Sequence, residues 1–235
     1  MMNALLKNSN VERFIHISTS EVYGTSENEL MDENHILNPR SPYAGAKAGA
    51  DRLVYSYWCT YDVPAVIIRP FNNFGPNQHL EKMIPRFITS AIKNEPLTIH
   101  GDGSAMRDWL FVEDHCEGLD KAIHVENFDS IKNQVINLGT SKPTSNLEIA
   151  EYIINVFGLP YSMLKFIGDR PGQVCRHAAA IEKADKLLNW QPRTEIKDGL
   201  LKTIEWYKSN QEWWRPLEWM KQVPVYTRKN IVEMH

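Results

Sequence analysis

The chain has 235 residues, enough for one large domain or two lobes sharing a cleft, and 43% hydrophobic with 23% charged residues is ordinary for a globular protein. A formal net charge of −3 with no block of like charge gives no footing for a nucleic-acid partner or a membrane surface. Cys59, Cys116 and Cys175 are far apart and form no Cys-x-x-Cys pair, so a reduced, cytoplasmic setting is expected. No apolar run reaches transmembrane length.

In chain order, "NALLKNSNVERF" (3–14) reads as the tail of a helix, a loop and the entry to a strand. "RFIHIS" (13–18) and "AVIIRPF" (65–71) are short and apolar, as in strands buried on both faces. Between them, Ser41-Pro42 predicts the start of a helix running to about Cys59, with serine as cap and proline in the first turn. The strand–helix–strand order predicts parallel strands in an α/β sheet. A loop with Gly75-Pro76 follows, then an amphipathic helix in 81–94 and a strand and turn at 97–103. A helix at 112–125 and a buried strand at 134–139 come next. Segments 146–157, 181–189 and 198–209 read as helices, and the aromatic tail from Trp213 carries no assignment.

Ligands of open α/β sheets bind at the carboxyl ends of the strands. The first strand ends in Ser18, Thr19, Ser20 and Glu21, so hydroxyls and a carboxylate fall where a ligand is expected. Tyr43 and Lys47, spaced i, i+4, project from one helix face. An ammonium beside a phenol favours phenolate, which can accept a proton from a substrate hydroxyl as hydride leaves the same carbon. Each feature alone has a plainer reading. Thr19-Ser20-Glu21 is also a polar strand terminus, and Tyr-x-x-x-Lys occurs by chance on surface helices. Asn72 and Asn73 are good turn formers before Gly-Pro. Lys82 reads equally as a solvated charge, and Arg107 beside Asp108 as a structural ion pair. The eight histidines show no metal-ligand spacing, so no metal is assigned.

Six stretches together change that balance: "ISTSEVYG", "SPYAGAKAGADRL", "RPFNNFGPNQHLEKMIPRFI", "LTIHGDGSAMRDWLFVEDH", "INLG" and "DRPGQVCRHA". In this order they resemble the extended short-chain dehydrogenase/reductases acting on nucleotide sugars, above all the dTDP-glucose 4,6-dehydratases. The resemblance runs from about residue 13 to Tyr207. It implies an α/β fold: the C-terminal part of a Rossmann-type doubly wound parallel sheet with a smaller substrate-binding lobe. It assigns 1–75 to the remainder of an NAD-binding domain. Residues 76–235 fall mainly to a nucleotide-sugar lobe, with segments near 107–139 returning to the sheet. It implies bound NAD, a nucleotide-sugar substrate, and a homodimer of the complete enzyme through the helix bearing Tyr43. Leu53, Val54, Tyr57 and Trp58 would supply the apolar contact.

The resemblance also assigns roles. Tyr43 would deprotonate the sugar 4-hydroxyl with help from Lys47, Thr19 would hydrogen-bond the 4-oxygen, and Glu21 would remove the C5 proton. Ser18, Tyr43, Lys47 and Phe71 match cofactor contacts. Asn72, Asn73, Lys82, Met83, Thr98, His100, Arg107, Asn137 and Arg170 match substrate contacts. There are two departures. The family's Gly-x-x-Gly-x-x-Gly loop is not found here, so the chain reads as the C-terminal two-thirds of an enzyme. Ser20 stands where the dTDP-glucose enzymes carry aspartate, as it does in GDP-mannose dehydratases and UDP-glucuronate decarboxylases. Serine is a poor acid, which leaves Glu21 to serve as both base and acid. Decarboxylation, C4 epimerisation and a non-catalytic or inactive truncated relative remain alternatives at this point.

Overall fold

The computed structural model of the chain describes all residues except Ser9, Arg170, Pro171, 222–223, 227–231 and 235, and side chains as far as Lys221. The helices are α1 (Met2–Lys7), α2 (Pro42–Tyr61), α3 (Met83–Ile92), α4 (Val112–His124), α5 (Asn146–Phe157), α6 (Glu182–Leu188), α7 (Ile196–Ser209) and α8 (Gln211–Trp214). The strands are β1 (Phe14–Ile17), β2 (Ala65–Pro70), β3 (Asn72–Phe74), β4 (Leu97–His100), β5 (Met106–Phe111), β6 (Val135–Leu138), β7 (Pro143–Ser145), β8 (Leu164–Ile167), β9 (Pro224–Tyr226) and β10 (Val232–Met234). None of the helices among the described residues is long and apolar enough to cross a membrane.

Strands β1, β2 and β6 form a parallel sheet in that order, so the α/β class and the parallel pairing expected of the first two strands are both present. β2 is buried at all six positions, and its alternating side chains feed two cores. Val66 and Ile68 pack with Leu110, Ile136, Leu138 and Trp190. Ala65 and Ile67 pack with Val54 and Trp58 of α2 and Met2 of α1. β2 ends at Pro70, which has no N–H to continue the ladder. The chain then turns through Phe71 into β3, which pairs with β5 in a second sheet. β5 also pairs antiparallel with β7, and β4 pairs in parallel with β8. β3, β5, β7 and β8 go beyond the elements expected from the sequence. They are three to six residues long, with polar members such as Asn72, Arg107, Thr144 and Lys165, so pairing rather than periodicity makes them strands.

Helix α2 starts as its sequence predicts. Ser41 Oγ accepts from Ala44 N at 3.1 Å, and Pro42 occupies the first turn. Its buried stripe is Ala44, Ala48, Asp51, Val54 and Trp58, at three- and four-residue spacing. Val54 and Trp58 therefore face the sheet and are not available to a second copy of the chain. Leu53 and Tyr61 remain exposed on another face of the helix.

One charged residue lies in that stripe. Asp51 is fully buried and takes a two-pronged contact from Arg69 of β2, with Nε to Oδ2 and Nη2 to Oδ1 both at 2.9 Å. Ser18 Oγ donates to Oδ2 at 2.8 Å, and Arg52 adds Nη2 to Oδ1 at 2.6 Å. Arg69 Nη1 donates to the Tyr23 hydroxyl at 2.9 Å, which donates on to Asn137 Oδ1 at 2.8 Å. Burial alone would raise the Asp51 pKa; the Arg69 contacts, with Arg52 and Ser18, outweigh it and hold the carboxyl below its ordinary value. A carboxylate depressed in this way contributes stability that is complete above about pH 4 and is lost as pH falls through its folded value. Asp51→Ala leaves Arg69 buried and unpaired, and urea denaturation at neutral pH is expected to show a loss of about 3–5 kcal/mol. A loss below about 1 kcal/mol, the level of a surface pair, would mean the bridge does not anchor α2.

Candidate active site

The carboxyl end of β1 meets the N-terminal half of α2. Lys47 Nζ donates to the Ile17 carbonyl at 2.6 Å, and Ser18 reaches Asp51 one helical turn further on. Two successive turns of α2 are thus tied to the last residues of one strand. Tyr43, a turn before Lys47, is 60% exposed at the open end of this junction.

After Ser18 the backbone tightens into a 3-10 turn, Ser20–Tyr23, whose N-cap Thr19 accepts from Glu21 N at 3.3 Å. The turn closes at Gly24, where φ is +74° and an added Cβ would lie 2.1 Å from the Asn38 carbonyl oxygen. Only glycine fits there. The turn buries Ser20 at 2% exposure but leaves the Glu21 side chain at 30%. Burial raises the Glu21 pKa above its ordinary value, while positive charge from Arg107 of β5 and Lys82, the N-cap of α3, acts against the rise. Three residues far apart in sequence therefore share one electrostatic site.

Just past the end of β2, the side-chain oxygens Asn72 Oδ1 and Asn73 Oδ1 of β3 are buried with no hydrogen-bond partner among the described residues. Unmatched buried acceptors are uncommon in folded chains and suit a ligand donor. Phe71, between the two strands, is buried against Val22, Tyr23, Met31, Ala48 and Ala179. Met83 opens α3 and packs on the larger core. Thr98 and His100 share β4, where the buried His100 ring lies 3.1 Å from the Gly168 carbonyl and 3.5 Å from Arg86 Nη2.

Ser18 and Asn137, both expected to meet ligand, have their side chains engaged by other buried residues of the fold. The Ser18 hydroxyl is bound to Asp51. Asn137 is fully buried, donating through Nδ2 to Met31 O at 3.0 Å and accepting from Tyr23 at Oδ1. Arg170 lies outside the described residues.

The sequence reading also passes over His177. It is fully buried, with Nε2 2.8 Å from Gly24 O and Nδ1 3.4 Å from Ser20 Oγ and 3.9 Å from Glu21 Oε1. Burial first, and the Arg107 charge second, push its pKa down to about 4, so the ring is neutral near pH 7. It joins the site from 157 residues away, within the stretch "DRPGQVCRHA", where the resemblance assigns Arg170 rather than this histidine to the site.

A parallel sheet whose first strand end carries Thr19 and Glu21 against a helix bearing Tyr43 and Lys47 defines the short-chain dehydrogenase/reductase class. The family model described as GDP-mannose 4,6 dehydratase matches residues 1–203, and the chain belongs to that family. It is 37% identical over 214 residues to a dTDP-glucose 4,6-dehydratase of Actinoplanes sp., covering 91% of this chain and 65% of that one. It is 41% identical over 204 residues to the low-salt glycan biosynthesis protein Agl12 of Haloferax volcanii, covering 87% and 64%. The crystal structure of dTDP-glucose 4,6-dehydratase from Bacillus anthracis in complex with NAD superposes with a TM-score of 0.87 at 34% identity, covering 92% of this chain and 68% of that one. The chain thus spans somewhat under two thirds of the length of these curated relatives.

The charge arrangement around Glu21 can be checked directly. Its carboxyl is expected to titrate above the ordinary value of 4.5 in carbon-13 NMR, and Arg107→Met is expected to raise it further, because Arg107 favours the carboxylate. A midpoint unmoved by the substitution would remove Arg107 from the site's charge balance. A raised folded value favours the fold at low pH, and this contribution is lost as pH rises through it. Glu21→Gln is therefore expected to stabilise the protein near neutrality.

Proposed function

We propose that the complete protein is an NAD-dependent nucleotide-hexose 4,6-dehydratase, converting its substrate to the 4-keto-6-deoxy sugar. The observation that carries this reading is Glu21: a part-buried carboxyl with a raised pKa, set just past the strand end that Lys47 grips, in a turn that packs against the helix bearing Tyr43. A chain that needed only the alcohol chemistry of Tyr43 and Lys47 would gain nothing from a second base there.

The residues fit an NAD at this end of the sheet. Tyr43 offers an exposed side chain, Lys47 an ammonium fixed at the strand terminus, and Phe71 a buried ring at the end of the next strand. When bound, NAD supplies a reversible store for the C4 hydride. Tyr43 takes the 4-hydroxyl proton, Lys47 lies one turn along the same helix at the strand end, and Thr19 hydrogen-bonds the 4-oxygen. Once C4 is a ketone the C5 proton is acidic, and Glu21 removes it. Because Ser20 is a poor acid, Glu21 also returns a proton to the departing 6-oxygen. Asn72 and Asn73, with their unmatched acceptors, hold the sugar nucleotide, and Lys82 and Arg107 place positive charge near its diphosphate.

In this reading 1–75 is the NAD side, and 76–235 is mainly the sugar-nucleotide lobe, with segments near 107–139 returning to the sheet. The complete enzyme is a homodimer through the outward face of α2, where Leu53 and Tyr61 are exposed. The three cysteines are free and exposed, which suits a reduced cytoplasm.

With NAD and the full-length enzyme, the expected product from a nucleotide hexose is the 4-keto-6-deoxy sugar, with no net NADH and, in heavy water, deuterium at C5. Glu21→Gln is expected to keep C4 oxidation, visible as bound NADH absorbance, while elimination slows roughly 10²-fold. Tyr43→Phe should suppress both steps. Carbon dioxide released from UDP-glucuronate with no hexose dehydrated, or simple interconversion at C4, would overturn the dehydratase reading.

A further inference from the structure

His177 sits at the back of the site with a defined hydrogen-bond direction. The Gly24 carbonyl can only accept, so the 2.8 Å contact puts the ring proton on Nε2 and leaves Nδ1 bare. That bare nitrogen faces Ser20 Oγ at 3.4 Å and Glu21 Oε1 at 3.9 Å, in a pocket where the ring is fully buried. The His177 ring also stands against Phe71 in a T-shaped contact, with centroids 6.1 Å apart and planes at 75°. A basic nitrogen fully out of water has one hydroxyl donor at long range and one carboxyl just beyond hydrogen-bond reach. An ionised carboxylate has nothing to offer this nitrogen; a protonated one does.

We propose that His177 is a positioning residue for Glu21: its Nδ1 accepts the hydrogen bond of the Glu21 carboxyl once that group has taken a proton, and Ser20 occupies Nδ1 until then. This rests on the dehydratase reading of Glu21 as the C5 base. In that step the C5–H bond breaks and an O–H bond forms on Glu21, while the C–H electron pair passes into the C4 carbonyl as an enolate. The new O–H turns towards Nδ1, and the Ser20 hydroxyl swings away. When the C6–O bond breaks, the enolate pair forms the C5–C6 double bond, and the same proton leaves Glu21 for the departing oxygen. His177 gains and loses no proton in the cycle. It stores the protonated carboxyl in a fixed orientation between the two transfers, which is how one glutamate serves where relatives of the dTDP-glucose type divide the work with an aspartate.

The test has two independent readouts. Nitrogen-15 NMR of the full 235-residue chain, without cofactor, is expected to show Nε2 protonated and Nδ1 bare, with the Nδ1 resonance moving in step with the Glu21 carboxyl titration. The groups facing the ring are Glu21, Arg107 of β5 and His35 of the preceding loop, so Glu21→Gln serves to assign that movement to the glutamate. A protonated Nδ1, or one indifferent to Glu21, overturns the proposal whatever the enzyme does. The second readout uses His177→Gln, which keeps an N–H for Gly24 and removes the Nδ1 acceptor. In the NAD-loaded full-length enzyme, kcat for elimination is expected to fall about 10- to 100-fold with KM and C4 oxidation unchanged. An unchanged kcat overturns the proposal. Failure of the wild-type enzyme to dehydrate any nucleotide hexose overturns the function reading instead, and the NMR result then decides the Glu21–His177 contact by itself. If His177→Gln does not fold, the wild-type and Glu21→Gln spectra still decide it.

Discussion

Everything at the candidate site hangs from the bridge between Asp51 and Arg69. A helix lying on a sheet can slide along the strands with little change in apolar burial, because dispersion and hydrophobic contact are not directional. A forked guanidinium on a carboxylate is directional. Asp51 also holds Ser18, so the same carboxylate fixes α2 against the central strand and against the end of β1. Tyr43 and Lys47 lie two turns and one turn before Asp51. Their height above the strand ends is set by a contact that touches no ligand. Arg69 carries the linkage onward to Tyr23 and Asn137, so the polar core reaches the third strand of the sheet.

Around Glu21 the structure balances opposed effects. Burial and a neutral imidazole act on the carboxyl from one direction, and Arg107 of β5 and Lys82 at the start of α3 supply positive charge. The first environment suits the protonated acid and the second the carboxylate. A group that must take a proton and return it within one cycle needs both forms within reach, which neither environment gives alone.

Much of this was legible in the sequence, and the missing part has a common cause. Local signals located α2 and its cap, the two buried strands, and the Tyr43–Lys47 face, because each depends on residues within a few positions of one another. The same face, followed one turn further, contains Asp51, whose importance was open to view but unread. β3, β5 and β7 were not legible, since their strand character exists only through partners brought in by the fold. Ser18 and Asn137 carried the right residue types for ligand contact, yet the structure engages both internally. Sequence position put them at strand ends, but only packing shows where a side chain points. His177 is the extreme case: its role depends on a turn more than 150 residues earlier.

The short run from Asn38 to Arg40, just ahead of the Ser41 cap, is held between two glycines in left-handed conformations. A side chain at Gly24 would strike the Asn38 carbonyl, and one at Gly172 would come within 2.8 Å of the Arg40 carbonyl. The grip is backbone on backbone, while the side chains of Asn38 and Arg40 point to solvent. Substitutions can accumulate in that run without disturbing the approach to α2, whereas neither glycine can vary. Among descendants of this sequence, drift would be written on the outside of the lead-in to Tyr43, and the track that aims it would stay unaltered.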